Sequence, residues 1–157
     1  MKEAFDDAIE ELKRVDHLFW VSLKYTRTVD MIKHVIERII SCMTMGIESL
    51  LRYAKEKKMI SVIPDNIGLK IELAKKTFPN NAELNDYINF YQIMRKLSMA
   101  EYKKKEEFRR HVTMIATIDK SEIVNVDIDT LKLYYEKLKT FMRFVKKIIN
   151  EEKDETV

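Results

Sequence analysis

The residues best suited to chemistry crowd one stretch of the chain. Arg95, Lys96, Lys103, Lys104, Lys105, Arg109 and Arg110 lie close together, with Tyr102 and Phe108 interleaved and His111 at the end. Cationic side chains neutralise phosphates, and aromatic rings stack on bases. Lys103, Lys104, Lys105, Arg109, Arg110 and His111 are therefore the candidate nucleic-acid-binding residues. Glu101, Glu106 and Glu107 dilute the charge, so the stretch also reads as a solvated helix end. In that second reading, which is preferred, Phe108 anchors the connector in the core and the arginines pair with carboxylates.

Metal and nucleophile chemistry find less material. The histidines are His17, His34 and His111. If the first two helices fold back on each other near residue 27, Asp16, His17 and Glu37 draw together as a half-site for a divalent ion. The competing reading leaves Asp16 and His17 solvated at a helix flank. Neither HExxH nor a paired Glu-x-x-His pattern is present. Cys42, the single cysteine, lies between Ile39 and Met43 on an apolar stripe, where a thiol acts as a small filler. Gly46 and Gly68 stand alone, so no glycine-rich phosphate cradle exists. No cofactor is called for.

Helices must position these residues. Two glycines and two prolines in 157 residues point to long helices with short connections. A first helix over about 2–25 shows Phe5, Ala8, Ile9, Leu12, Val15 and Phe19 at three-and-four spacing. A second over about 29–57 carries Ile32, Val35, Ile36, Ile39, Ile40, Met43, Ile47, Leu50, Leu51 and Ala54. At ~100° per residue the second stripe is displaced by roughly 130° from the first, so one rod would face two directions. The chain must break at "YTRTVD", with Thr26 or Thr28 as the N-cap, giving an antiparallel hairpin.

Pro64 ends the second helix, and a short third follows over about 66–78. Asn80 and Glu83 make a capping-box pattern for a fourth helix carrying Leu84, Tyr87, Ile88, Tyr91, Met94 and Leu97. "EYKKKEEFRR" reads as its charged continuation or as a connector. "HVTMIATI" and "EIVNVDI" are β-branched runs around a polar turn, a hairpin near 111–127. Asp127 or Asp129 caps a last helix over about 129–152, and a flexible tail is expected at 152–157. The expected fold is all-α: a five-helix, mostly antiparallel bundle with a small β-hairpin before the last helix.

Composition sets the outer limits. The length fits one domain, 1–157. One cysteine excludes an internal disulfide and a thiolate zinc cage, and favours a reducing, cytoplasmic setting. The acidic amphipathic N-terminus lacks the pattern of a signal peptide, and the apolar runs are too short for a membrane span. A net charge of +3 does not by itself imply a nucleic-acid partner.

Two blocks, "VDHLFWVSLKYTRTVDMIKHVIERIISCMTMGIESLL" and "EEFRRHVTMIATIDKSEIVNVDIDTLKLYYEKLKTFMRFVKKI", resemble uncharacterised archaeal helical proteins. Those proteins look like the HEPN superfamily of all-α bundles that often dimerise. The resemblance covers about half the chain. It implies a homodimer or a partner subunit, and in many members a ribonuclease with an Arg-x4-6-His signature. Here Arg27 and His34, in "RTVDMIKH", have that spacing but sit at the start of the second helix, while Arg110 and His111 are adjacent. The preferred expectation is a non-enzymatic binding or interaction protein, with no membrane partner. The alternative is an RNA-binding protein or metal-independent RNase using Arg27 and His34. Trp20, Leu23 and Met45 fall off their helix stripes and suggest a dimer surface on the first two helices.

Overall fold

The computed structural model describes residues 2–155, with side chains as far as 150. Its order is α1 (Lys2–His17, continued by a π-helical turn Leu18–Ser22 and a last turn Leu23–Tyr25), α2 (Val29–Glu56), α3 (Ile67–Thr77), α4 (Ala82–Met99), β1 (Glu101–Lys105), β2 (Thr113–Ile118), β3 (Glu122–Val126) and α5 (Ile128–Glu155). Of the flexible tail expected at 152–157, residues 152–155 continue the helix of α5, and 156–157 lie outside the described residues.

α2 runs through the middle. Val29, Ile32, Val35, Ile36, Ile39, Cys42, Met43, Ile47, Leu50, Leu51 and Ala54 are all buried, and α1, α3, α4, α5 and β2 all touch it. Ser49 is buried there too, its hydroxyl donating to the Met45 carbonyl at 2.9 Å.

The chain breaks where the stripe changes phase. Thr28 is extended, and its hydroxyl accepts from Met31 N at 3.1 Å as the N-cap of α2. The core positions on α1 are Ala4, Ala8, Glu11, Val15, Phe19 and Leu23. On an α-helix two successive four-residue steps turn Leu23 about 80° away from Val15. The π turn, closed by Leu23 N–H on the Leu18 carbonyl, absorbs that drift, so Leu23 enters the core and Trp20 stays half exposed. Leu23 is therefore buried and offers no outer surface, while Met45 is half-buried against the core.

The all-α expectation is corrected. The hairpin is part of a three-stranded antiparallel sheet in the order β1-β2-β3. "EYKKK", expected as helix or connector, is β1, paired Glu101 to Thr117 through Lys105 to Thr113. Its lysines conceal it, because a charged, alternating edge strand has no apolar stripe to read. Tyr102 gives the strand its inward side: its hydroxyl donates to Asp30 at 3.3 Å, and Lys33 sits 5.2 Å from its ring centre. On β2, Met114, Ala116 and Ile118 face the core and Thr117 faces water. Asn81, not Asn80, caps α4 by accepting from Leu84 N at 2.9 Å, and Asn80 itself is left-handed at φ 60°. Phe108 is 76% exposed rather than anchored in the core.

α2 and α5 approach each other closely at Gly46. A Cβ there would lie 2.6 Å from Phe141 Cε2, on a buried ring that Tyr87 holds edge-on at 5.3 Å. Gly46→Ala gains helix propensity of up to about 1 kcal/mol, but overpacking costs typically about 1–3 kcal/mol. The variant should melt a few degrees lower in a thermal scan. An unchanged or raised Tm would show that the Phe141 ring yields freely.

Candidate functional site

Side chains from three distant segments meet beside the α1–α2 turn. The β1–β2 loop is pinned to that turn by two hydrogen bonds. Phe108 N donates to the Arg27 carbonyl at 2.7 Å, and Val29 N donates to Glu107 Oε2 at 2.9 Å. Glu107 thereby satisfies a free amide at the start of α2 and places a carboxylate where the helix dipole favours it. The loop reaches this pose with Glu106 and Phe108 in left-handed backbone, φ 54° and 65°. Such a conformation is costly for a bulky side chain and is held only when its surroundings enforce it.

Pinning the loop carries Arg110 and His111 to Arg27. The three line a cavity of about 220 Å³ with Asp127, Ile128 and Asp129. Asp127 caps α5, its Oδ1 accepting from Thr130 N at 2.7 Å. The Thr130 amide, together with the charge of His111, holds the Asp127 carboxyl below its usual value, against the opposing effect of burial. A second cavity, about 340 Å³, adjoins the first through Arg27 and Ile128 and is otherwise lined by Phe19, Trp20, Leu23 and Lys24. Phe19 stacks on Tyr135 at 5.4 Å and meets Trp20 edge-on at 5.0 Å, while Lys132 Nζ lies 5.9 Å from the Trp20 ring centre.

The other expected residues separate. Arg27 and His34 do not share a cavity: His34 lines a different one with His17, Glu10, Lys13, Arg14, Leu18 and Arg38. Asp16 turns to α5, where it accepts a hydrogen bond from the Tyr135 hydroxyl. Burial and then the Asp16 contact push that phenol well above its usual range. Glu37 is exposed. Among the described residues, no group of three or more His, Cys, Asp or Glu side chains is arranged to hold a metal ion. Lys104 is occupied by Asp30 at 3.2 Å and Glu107 at 3.6 Å, whereas Lys103 and Lys105 point with the outer face of the sheet. Arg109 is exposed in the turn between Glu106 and Val112.

Two other polar arrangements are structural. Glu11, almost fully buried, is braced by Arg14 at 3.0 Å and Arg38 at 3.3 Å between α1 and α2. Cys42 donates to the Ala8 carbonyl at 3.4 Å, and burial, aided by the charge of Glu11, pushes its thiol up to about 12. It is no nucleophile at neutral pH. Sequence reading missed Trp20 and Lys24 as site residues, and it used Asp127 only as a cap. The off-stripe position of Trp20 was the available signal. The neighbourhood of Arg27, Arg110 and His111 had none, because they meet across more than eighty positions of chain.

No family model, curated protein or solved structure matches the chain. No helix among the described residues is long and apolar enough to cross a membrane.

The depressed Asp127 carboxyl has a consequence for pH. Its folded value lies below the unfolded 3.8, so its contribution to stability is complete above that value and disappears as pH falls through the folded one. Asn is an equally good N-cap but carries no charge to lose. Between pH 5 and pH 2, wild type should lose a few tenths to about 1 kcal/mol more stability than Asp127→Asn, measured by urea unfolding. Superimposable pH profiles would contradict this assignment.

Proposed function

We propose that the chain is a non-enzymatic interaction protein that works as a homodimer or with a partner subunit, docking through the end of the bundle at the α1–α2 turn. One observation carries the reading. Val21, Tyr25 and Phe108 stand 41%, 79% and 76% exposed around that turn. Aromatic side chains beside arginine are enriched in interface cores, and apolar groups grouped on a surface mark contact sites. Phe108 is also presented by a backbone that two hydrogen bonds hold in place, so little ordering remains to be done on docking. Dimerisation is also what the HEPN-like resemblance implies.

A second reading is RNA binding, or metal-independent RNase chemistry. It is favoured by the convergence of Arg27, Arg110 and His111 on one cavity. There the guanidinium groups would neutralise a phosphate and the imidazole would move a proton. The arrangement differs from the Arg27–His34 pair, whose members line separate cavities.

Light scattering tests the first reading. Wild type at tens of micromolar should run as a dimer, and Tyr25→Glu with Phe108→Glu should run as a folded monomer. A wild-type monomer would sink the homodimer, and a charged variant that still dimerises would move the interface elsewhere. Under the RNA reading, wild type binds single-stranded RNA in a salt-dependent way, and Arg27→Ala with Arg110→Ala weakens that binding while circular dichroism stays unchanged. Salt-insensitive binding, or none, would remove the second reading.

A further inference from the structure

We infer that the two cavities joined at Arg27 form one bipartite nucleotide site, with a base held in the Phe19–Trp20 groove and its phosphate held by Arg27, Arg110 and His111. The inference rests on the cavity of the RNA reading for its phosphate half, and it commits to one nucleotide unit rather than a strand.

Three observations lead there. First, the cavities differ in chemistry yet share a wall. The groove of about 340 Å³ is bounded by Phe19, Trp20, Leu23 and Ile128, and the adjoining cavity of about 220 Å³ by Arg27, Arg110 and His111. The groove alone enters the lower range of small-molecule sites, from roughly 300 Å³ upward, and the adjoining cavity adds a fragment-sized extension. A flat ring joined to an anion matches that division. Second, the Trp20 ring is half exposed although a large apolar side chain gains by burial. The π turn keeps it at the groove while sending Phe19 and Leu23 inward. π turns inside α-helices recur at functional sites. Base-on-aromatic stacking contributes about 1–3 kcal/mol per base and tolerates any base.

Third, the local charge favours an anion at the junction. Lys24, Arg27 and Arg110 oppose Asp127 and Asp129. Asp127 accepts from Thr130 N and stays ionised, so the surplus over the two cavities is one positive charge, supplied by Lys24 beside the Arg27–Arg110 and Asp127–Asp129 groups. Arg27 is well suited to bridge the two halves. Its carbonyl, not its side chain, holds the β1–β2 loop, and the residue lines both cavities. A planar guanidinium both stacks on rings and binds phosphate oxygens in pairs.

A free nucleoside monophosphate and the terminal nucleotide of an RNA strand offer the same chemistry, and a titration separates them. Trp20 is the single tryptophan, so its fluorescence reports the groove directly. Adenosine 5′-monophosphate should quench it saturably. Adenosine and inorganic phosphate should each bind roughly tenfold more weakly, since each lacks one half. Arg27→Ala should weaken the monophosphate about tenfold, through loss of a charge-assisted contact, with the circular dichroism spectrum unchanged. Trp20→Ala should do the same by calorimetry. If a 5′-phosphorylated oligoadenylate binds more tightly than the monophosphate, the source is a strand end; if the monophosphate binds as tightly, it is the free nucleotide. Monophosphate binding no tighter than adenosine, or unaffected by Arg27→Ala, overturns the site. Salt-dependent oligonucleotide binding without any Trp20 response overturns the nucleotide site but leaves the RNA reading standing. Silence toward every probe overturns both.

Discussion

Burial of α2 on several faces at once is the constraint on which this structure depends. A helix apolar on so broad a face cannot be covered by one neighbour. α1, α3, α4 and α5 surround it, and β2 closes what they leave open. The cover has to be tight: Gly46 admits Phe141 where any side chain would collide, and Ser49 and Cys42 are tolerated because each finds a carbonyl. Glu11 is the exception among these inward groups. It is a carboxylate between helices that two arginines brace, and such a group left without partners would be strongly destabilising.

The same constraint builds the site. Covering α2 from both sides brings the α1–α2 turn, the β1–β2 loop and the start of α5 to one end of the bundle. Two hydrogen bonds lock the loop onto the turn, and one of them satisfies an amide that the start of α2 exposes. A feature required for helix capping therefore also sets the place of Arg110 and His111 beside Arg27. Phe108 is pushed outward by the same geometry.

Charge is distributed so that the lysine-rich segment is not a single basic surface. Lys104 shares a face of β1 with Tyr102 but is exposed, and is held by Asp30 and Glu107, which raises its ammonium above its ordinary value, chiefly through the Asp30 hydrogen bond. Lys96 pairs with Asp119 at 2.9 Å. Lys103 and Lys105 lie on an edge strand, where lysine discourages pairing with a foreign strand. At the opposite end of α2, Glu48 holds Arg52 at 3.2 Å and Lys70 at 2.9 Å between two clefts. Although burial works against its charge, those two partners win and keep its carboxyl below the usual range. The cations left facing a cavity at the turn are Lys24, Arg27 and Arg110.

The sequence by itself determined the helices and most of their ends, though not where α4 gives way to β1. Periodicity located all five, a phase jump located the break after Tyr25, and capping, a local interaction, narrowed the caps to Thr26 or Thr28 and Asp127 or Asp129, of which the structure uses Thr28 and Asp127. It also determined the β2–β3 hairpin, whose β-branched runs carry their own signal. Three things were left to the tertiary structure. β1 is a strand because β2 has an edge to pair and Asp30 and Lys33 receive Tyr102, and nothing within "EYKKK" encodes that. The phase of α1 past Val15 depends on a π turn, which lets Leu23 into the core. The grouping of Arg27 with Arg110 and His111, and the separation of Arg27 from His34 and of Asp16 from His17 and Glu37, follow from how the elements pack. Spacing along a helix reports which side chains share a face, but not which distant loop is laid against it.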